Sequence, residues 1–206
     1  IVIVPVFCEA HLTEFQIPNI VETIDPDVII YNEGMFPAGP EGSTTVNKDF
    51  LDTYTLDGVR GFDFKRMESI IEKAKVTYPS IEIILNTMNY DSSVVDSSEH
   101  YVKACSNFEE LGVKVQKGDY IFPLEGDVFH HENSYKEMQG YIGQIEPNQG
   151  FKSTWIDFVQ NQHYSEKYTL KPFMIKKDGR HRKICIRFGD MDFYKEASFD
   201  SQIWFK

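Results

Sequence analysis

Apolar runs closed by polar residues set the rhythm of the first two thirds of the chain. Ile1 to Phe7 is apolar and rich in β-branched residues without alternation, the pattern of a strand buried on both faces, and it gives way to the polar segment Cys8-Glu9-Ala10-His11. Pro18 opens a short helical pattern with Ile20, Val21 and Ile24 on one side, and Asp25-Pro26 stops it, because proline disfavours helix in the residue before it. Val28 to Tyr31 is a second buried strand, ending in Asn32-Glu33-Gly34. Met35 to Arg60, rich in Gly, Pro, Ser, Thr and Asp and without a period, predicts a long ordered loop. Phe64, Met67, Ile70, Ile71 and Ala74 then recur at helical spacing, and a third strand follows over Ile81 to Leu85. A helix from Ser98 to about Val115 leads through Lys117-Gly118-Asp119 into a fourth strand, Tyr120 to Leu124, which stops at Glu125.

Strands alternating with helices predict an α/β fold: a Rossmann-like, mostly parallel sheet with helices on both faces. Ligands of such sheets bind beyond the carboxyl ends of the strands. Those ends carry Glu9, Asn32, Glu33, Asn86, Glu125 and Asp127, so the pattern predicts an acidic, polar cleft. The last third differs. Ser134 to Ile142 reads as a helix, and Lys171 to Phe188 as two strands joined by Lys177-Asp178-Gly179-Arg180, since Asp-Gly between apolar positions is a hairpin signal. The chain thus divides into an α/β core over 1–145 and a small antiparallel region over 146–206 packed on the core.

Composition narrows the function. A formal net charge of −11 opposes sequence-independent binding of nucleic acid, which depends on Lys and Arg displacing condensed counterions. Lys176, Lys177, Arg180, His181, Arg182 and Lys183 form a local exception, either a solvated hairpin tip or a site for a phosphate or an anionic acceptor. Cys8, Cys105 and Cys185 are odd in number and widely spaced, which predicts neither a disulfide framework nor a zinc site and fits a reducing, cytoplasmic location. No apolar run approaches the ~20 residues that span a bilayer. The Gly39-to-Thr44 segment lacks the Gly-Lys-Ser/Thr ending of a phosphate-cradling loop, and neither GxGxxG nor GxSxG is present.

The candidate chemistry centres on Glu125-Gly126-Asp127. A nucleotide diphosphate is a poor leaving group until a divalent cation neutralises it, and hard cations such as Mg²⁺ or Mn²⁺ select oxygen ligands. Two carboxylates two apart in a turn after a strand can meet one such ion, and Gly126 between them lets backbone approach phosphates. Glu9 and Glu33 are acceptors for the N–H and hydroxyl groups of a base or ribose, or else solvated loop acids. His130, His131 and Glu132 either supply a further ligand or stand exposed at a helix start. Trp155, Tyr164, Tyr168 and Trp204 can stack on a sugar ring or form the core of the smaller region.

The stretch from Gly112 through Gly118-Asp119-Tyr120 to Glu125-Gly126-Asp127 resembles the family 2 inverting glycosyltransferases of the GT-A fold, in which "kGdYi" runs to an acidic "DxD". Six positions separate Gly112 from Gly118 and seven more reach Glu125, the family's spacing. Pro5-Val6-Phe7-Cys8-Glu9 is similar to the family's opening "PvyNE", and Val28 to Gly34 stands where its second strand ends. The likeness covers about residues 1 to 140. The resemblance implies a metal-dependent, inverting transfer of a sugar from a nucleotide-diphosphate donor to a hydroxyl acceptor, whether glycan, small molecule or protein. It places Mn²⁺ or Mg²⁺ on Glu125 and Asp127, and the nucleotide on Pro5, Phe7, Glu9, Asn32, Glu33 and Gly126. A general base some tens of residues later falls to Asp190 and Asp192, which otherwise read as turn and capping residues. The chain departs from the pattern at Glu125, where the family has Asp, at Val128, at Glu109-Glu110 in place of Arg-Asn, at Cys8 in place of Asn, and at Asn32-Glu33. Two other functions fit the residues: a nucleotidyltransferase of related fold, although Cys8-Glu9-Ala10-His11 lacks its Gly-rich basic loop, and a non-catalytic module that binds nucleotide sugars.

Overall fold

The computed structural model describes residues 1–6, 8–34, 59–88, 103–130, 140, 142–147, 150–158 and 175–187. In chain order these form β1 (Val2–Val6), α1 (Ala10–Ile24), β2 (Val28–Glu33), α2 (Val59–Thr77), β3 (Glu82–Thr87), β4 (Tyr120–Pro123), β5 (Gly150–Phe158) and β6 (Ile175–Arg187). The sheet order is β3-β2-β1-β4-β6-β5. The first four strands of that order pair in parallel, with Val2 opposite Ile29 on one side and Phe122 on the other. Beyond them β6 runs antiparallel to both β4 and β5. The protein is therefore a mixed α/β fold whose parallel sheet is Rossmann-like, with antiparallel strands extending the same sheet.

Burial on two faces explains why the parallel strands are continuous apolar runs. Val2, Val4 and Val6 point into one cluster with Ile29, Tyr31, Ile83 and Leu124, covered by Ile17, Ile20 and Ile24 of α1 and Met67, Ile70, Ile71 and Ala74 of α2. Ile3, Ile30 and Ile121 point the other way, onto Cys105 and Phe108. Each of these fully buried aliphatic side chains stabilises the fold by about 1.5–3 kcal/mol of transfer free energy.

Several elements differ from the sequence pattern, each for a local reason. Helix α1 begins at Ala10, so Pro18 lies inside it. Its buried face is Ala10, Thr13, Gln16, Ile17, Ile20, Thr23 and Ile24, a helical stripe whose first half is polar and therefore hidden from a search for apolar periodicity. The helix does end at Asp25-Pro26: Asp25 takes a left-handed φ of 52° and donates its N–H to Val21 O at 3.2 Å. Strand β2 continues through Asn32 and Glu33. In the predicted Ser98–Val115 helix, 98–102 lie outside the described residues, and regular helix in the rest is confined to Lys103–Ala104. Gly112, at φ 70°, donates to Glu109 O at 3.1 Å, and Val113 donates to Phe108 O at 2.9 Å, a paired closure that ends any helix there.

The Asp178-Gly179 hairpin is also corrected. Ile175 to Arg187 is one strand, and between the pairs Thr154–His181 and Ile156–Lys177 residues 178–180 stand opposite Trp155 alone. Glycine and aspartate at an irregular strand position serve a bulge as well as they serve a turn, and here the bulge wins. The partner strand, Gly150–Phe158, gave no alternating signal. The Met35–Arg60 loop lies outside the described residues except for Val59 and Arg60, which begin α2, and of the helix at Ser134–Ile142 only Gly140 and Ile142 are described, both helical.

Candidate functional site at the sheet switch point

Chain order places β2 and β3 to one side of β1 and β4 to the other, so successive strands switch sides of the sheet between β1 and β4. Crevices at such switch points are where open α/β sheets take their ligands. The hydrogen-bond ladder between these strands runs through Phe122 N to Ile1 O at 2.9 Å and Leu124 N to Ile3 O at 2.8 Å. The next rung would need an N–H at position 5, and Pro5 has none. Pro5 thereby ends the ladder at the carboxyl ends of the two strands.

Two segments meet beyond that last rung. After β1 the chain turns through Cys8, at a left-handed φ of 55°, into Glu9, the N-cap of α1. After β4 it turns through Glu125 to Val128, closed by Val128 N on Glu125 O at 3.1 Å. The Glu9 carboxylate lies against Gly126: a Cβ built on Gly126 would overlap Glu9 Oε2 and stand 2.8 Å from both Glu9 Cδ and Val6 Cγ1. Only glycine fits there, because backbone and carboxylate approach too closely for a side chain.

Buried amides fix the acidic turn from behind. Gln16, fully buried in α1, donates through Nε2 to Glu125 O at 2.9 Å and Val128 O at 3.0 Å, and its Oε1 accepts from Tyr31 Oη at 3.2 Å. Burial pushes the Tyr31 phenol far above its ordinary range, so it stays a donor. Asn19, one turn later, donates to His130 O at 2.8 Å and accepts from His130 N at 2.7 Å. The His130 Nε2 is buried without a hydrogen-bond partner, and burial pushes the imidazole down to about 4. Helix α1 thus holds both ends of the segment that carries Glu125 and Asp127.

Within this frame Glu125 is half-buried, Gly126 buried and Asp127 exposed. Among the described residues no group of three His, Cys, Asp or Glu side chains is arranged to hold a metal ion. Asp127 and Glu125 offer the hard oxygen donors that Mg²⁺ or Mn²⁺ selects, and a diphosphate would supply further oxygens to the same ion.

Asn32 and Glu33 lie on the neighbouring strand, opposite Pro5 and Val6. Asn32 is fully buried and paired opposite Asn86. Its Nδ2 donates to Ala104 O at 2.6 Å and Asn107 Oδ1 at 3.3 Å, and its Oδ1 accepts from Asn86 Nδ2 and Asn107 Nδ2, each at 2.9 Å. This closed amide triad ties β2 and β3 to the 104–107 turn. Glu33 is fully buried at the end of β2, where its carbonyl accepts from Met88 N at 2.7 Å. Phe7, Asp190 and Asp192 lie outside the described residues, as do His131 and Glu132.

The basic segment lies at the same edge of the sheet as the acidic turn. With Tyr120 opposite Arg187 and Ile121 opposite Ile186, the antiparallel run of β6 carries Ile175 to Lys183 past the carboxyl end of β4. Gln16, Asn19 and Asp63 are the residues that sequence pattern missed. All three act through contacts between elements distant in sequence, and only the helical spacing of Thr13, Gln16 and Ile20 hinted at an inward Gln16.

No protein-family profile matches the chain, and no curated protein matches its sequence. No described helix is long and apolar enough to cross a membrane.

Proposed function

We propose that the chain is a glycosyltransferase that moves a sugar from a nucleotide-diphosphate donor to a hydroxyl acceptor, using the β1/β4 crevice as its donor site. One observation carries this: the Glu9 carboxylate and the Gly126 backbone meet at the switch point, in an acidic turn braced by the buried Gln16 amide. Asp127 and Glu125 would hold Mn²⁺ or Mg²⁺, which neutralises the diphosphate leaving group when bound. Gly126 keeps backbone close to the phosphates, and Glu9 accepts hydrogen bonds from ribose or base. The resemblance to family 2 GT-A enzymes supports inversion, with Asp190 or Asp192 taking the proton of the acceptor hydroxyl. The basic segment of β6, at the same edge, would meet an anionic acceptor.

A thermal-shift panel of nucleotide sugars with and without Mn²⁺ tests the proposal. A donor at a hundredfold excess over Kd adds about 2.7 kcal/mol and raises Tm by roughly 5–10 °C in a domain of this size. The rise requires Mn²⁺ and is lost in Asp127→Ala. Release of pyrophosphate from a nucleoside triphosphate and a sugar phosphate would instead make the chain a nucleotidyltransferase. Binding without transfer to any acceptor would make it a non-catalytic module.

A further inference from the structure

Helix α1 is capped by a residue from another helix. Glu9 occupies the N-cap position with φ −114° and ψ 22°, yet its side chain makes no capping hydrogen bond. Its carbonyl accepts from Leu12 N at 2.9 Å, Thr13 N at 3.1 Å and Thr13 Oγ1 at 3.1 Å, so the backbone of Glu9 starts the helix without its carboxylate. Asp63, in the first turns of α2 and 53 residues away, takes the vacant role: both of its oxygens lie 3.3 Å from Ala10 N. The first N–H groups of a helix attract carboxylates, and the nearest carboxylate in sequence is that of Glu9. With Asp63 present, that carboxylate stands at Gly126 instead.

We infer that Asp63 is a positioning residue, which occupies the N-terminus of α1 and so keeps the Glu9 carboxylate at the β1/β4 crevice. Asp63 has no place in the acidic turn. It acts on the crevice only through Glu9 and the strained Cys8 turn before it. Its half-buried carboxyl is raised by burial and lowered by the Ala10 N–H, by His11 and by Arg66, the surroundings of an acid held between two helices. The consequence for binding rests on the donor-site proposal above. The placement of Glu9 does not.

The two are separated by two readouts. The first needs no ligand: the side-chain carboxyl ¹³C resonance of Glu9, assigned by its loss in Glu9→Gln, is followed in Asp63→Ala and Asp63→Asn. It moves in Asp63→Ala, where the N-terminus is vacated. In Asp63→Asn, whose amide oxygen still accepts from Ala10 N, it stays near its original position. An unmoved resonance in Asp63→Ala overturns the inference. The second readout is a double-mutant cycle on the Mn²⁺-dependent affinity for UDP and for GDP. Asp63→Ala weakens binding about tenfold in the native background and less than about twofold in Glu9→Gln, because residues acting through one another are not additive. Equal losses in both backgrounds also overturn it. If Glu9→Gln alone leaves affinity unchanged, the donor-site role of Glu9 fails, while the carbon resonance still decides whether Asp63 places it.

Discussion

Two polar corners stand at the carboxyl edge of the sheet, and they differ in what their side chains leave for a ligand. At the β2/β3 corner, Asn86 and Asn107 donate to Asn32 Oδ1, and Asn32 in turn donates to Ala104 O. At the β1/β4 corner the Glu9 carboxylate lies against Gly126, which stands between Glu125 and Asp127 in the chain, and carboxylates can only accept. Amides close a corner by satisfying each other. Carboxylates cannot satisfy one another in this way, and they present the hard oxygen donors that a divalent cation selects. One corner is thus locked by its own amides, while the acidic turn is braced from behind by Gln16.

The largest effect comes from making the closed corner resemble the acidic one. Asn32→Asp places a carboxylate oxygen against Ala104 O in a fully buried site and should cost about 3–5 kcal/mol, the scale of an uncompensated buried charge. Urea denaturation measures it, and a loss below ~1 kcal/mol would show that the triad admits water. Next in size is Gln16→Ala, which removes the donor that Glu125 O and Val128 O share, leaving Glu125 O with Val128 N alone. About 2–4 kcal/mol is expected from the lost bonds and the cavity together, with weaker Mn²⁺ binding as the functional sign.

A smaller, pH-dependent effect isolates the far end of the turn. His130 titrates near 4 in the folded protein and near its ordinary 6.5 when unfolded, so the unfolded chain binds the extra proton first. Stability is therefore complete above pH ~6.5 and declines as pH falls toward ~4, by at most on the order of 3 kcal/mol. The raised carboxyl of Asp63 works in the opposite direction, since its folded form holds a proton more readily than the unfolded one. Denaturation curves of His130→Phe between pH 4 and 7 check the sign: the decline should flatten. The smallest stability change is that of Gly126→Ala, about 1–3 kcal/mol of overpacking, since the new methyl must displace the Glu9 carboxylate. Its donor affinity should fall out of proportion to that loss, as calorimetry would show.

Much of the fold was legible because a strand buried on both faces leaves an unbroken β-branched run, as in Ile1 to Phe7 and Val28 to Tyr31. The location of the acidic turn after β4, and of Glu9 after β1, followed from the same runs. What stayed hidden depended on contacts between distant segments. Thr13 and Gln16 lie on the buried face of α1, so its first half looked like a loop. Asn32 looked like an open acceptor at a strand end, but its partners come from 54 and 75 residues later in the chain. Asp178-Gly179 carries the composition of a hairpin turn, and only its pairing with β5 shows a bulge.

Binding of a nucleotide-diphosphate sugar at the β1/β4 switch point through a divalent ion on the Glu125–Asp127 turn is the proposal on which the rest depends. Calorimetric titration of UDP- and GDP-sugars into wild type and Asp127→Ala, each with Mn²⁺ and after its removal, tests it most directly. Binding should need Mn²⁺ and weaken at least about tenfold in Asp127→Ala, ~1.4 kcal/mol or more. Affinity unchanged by both metal removal and the substitution would contradict it.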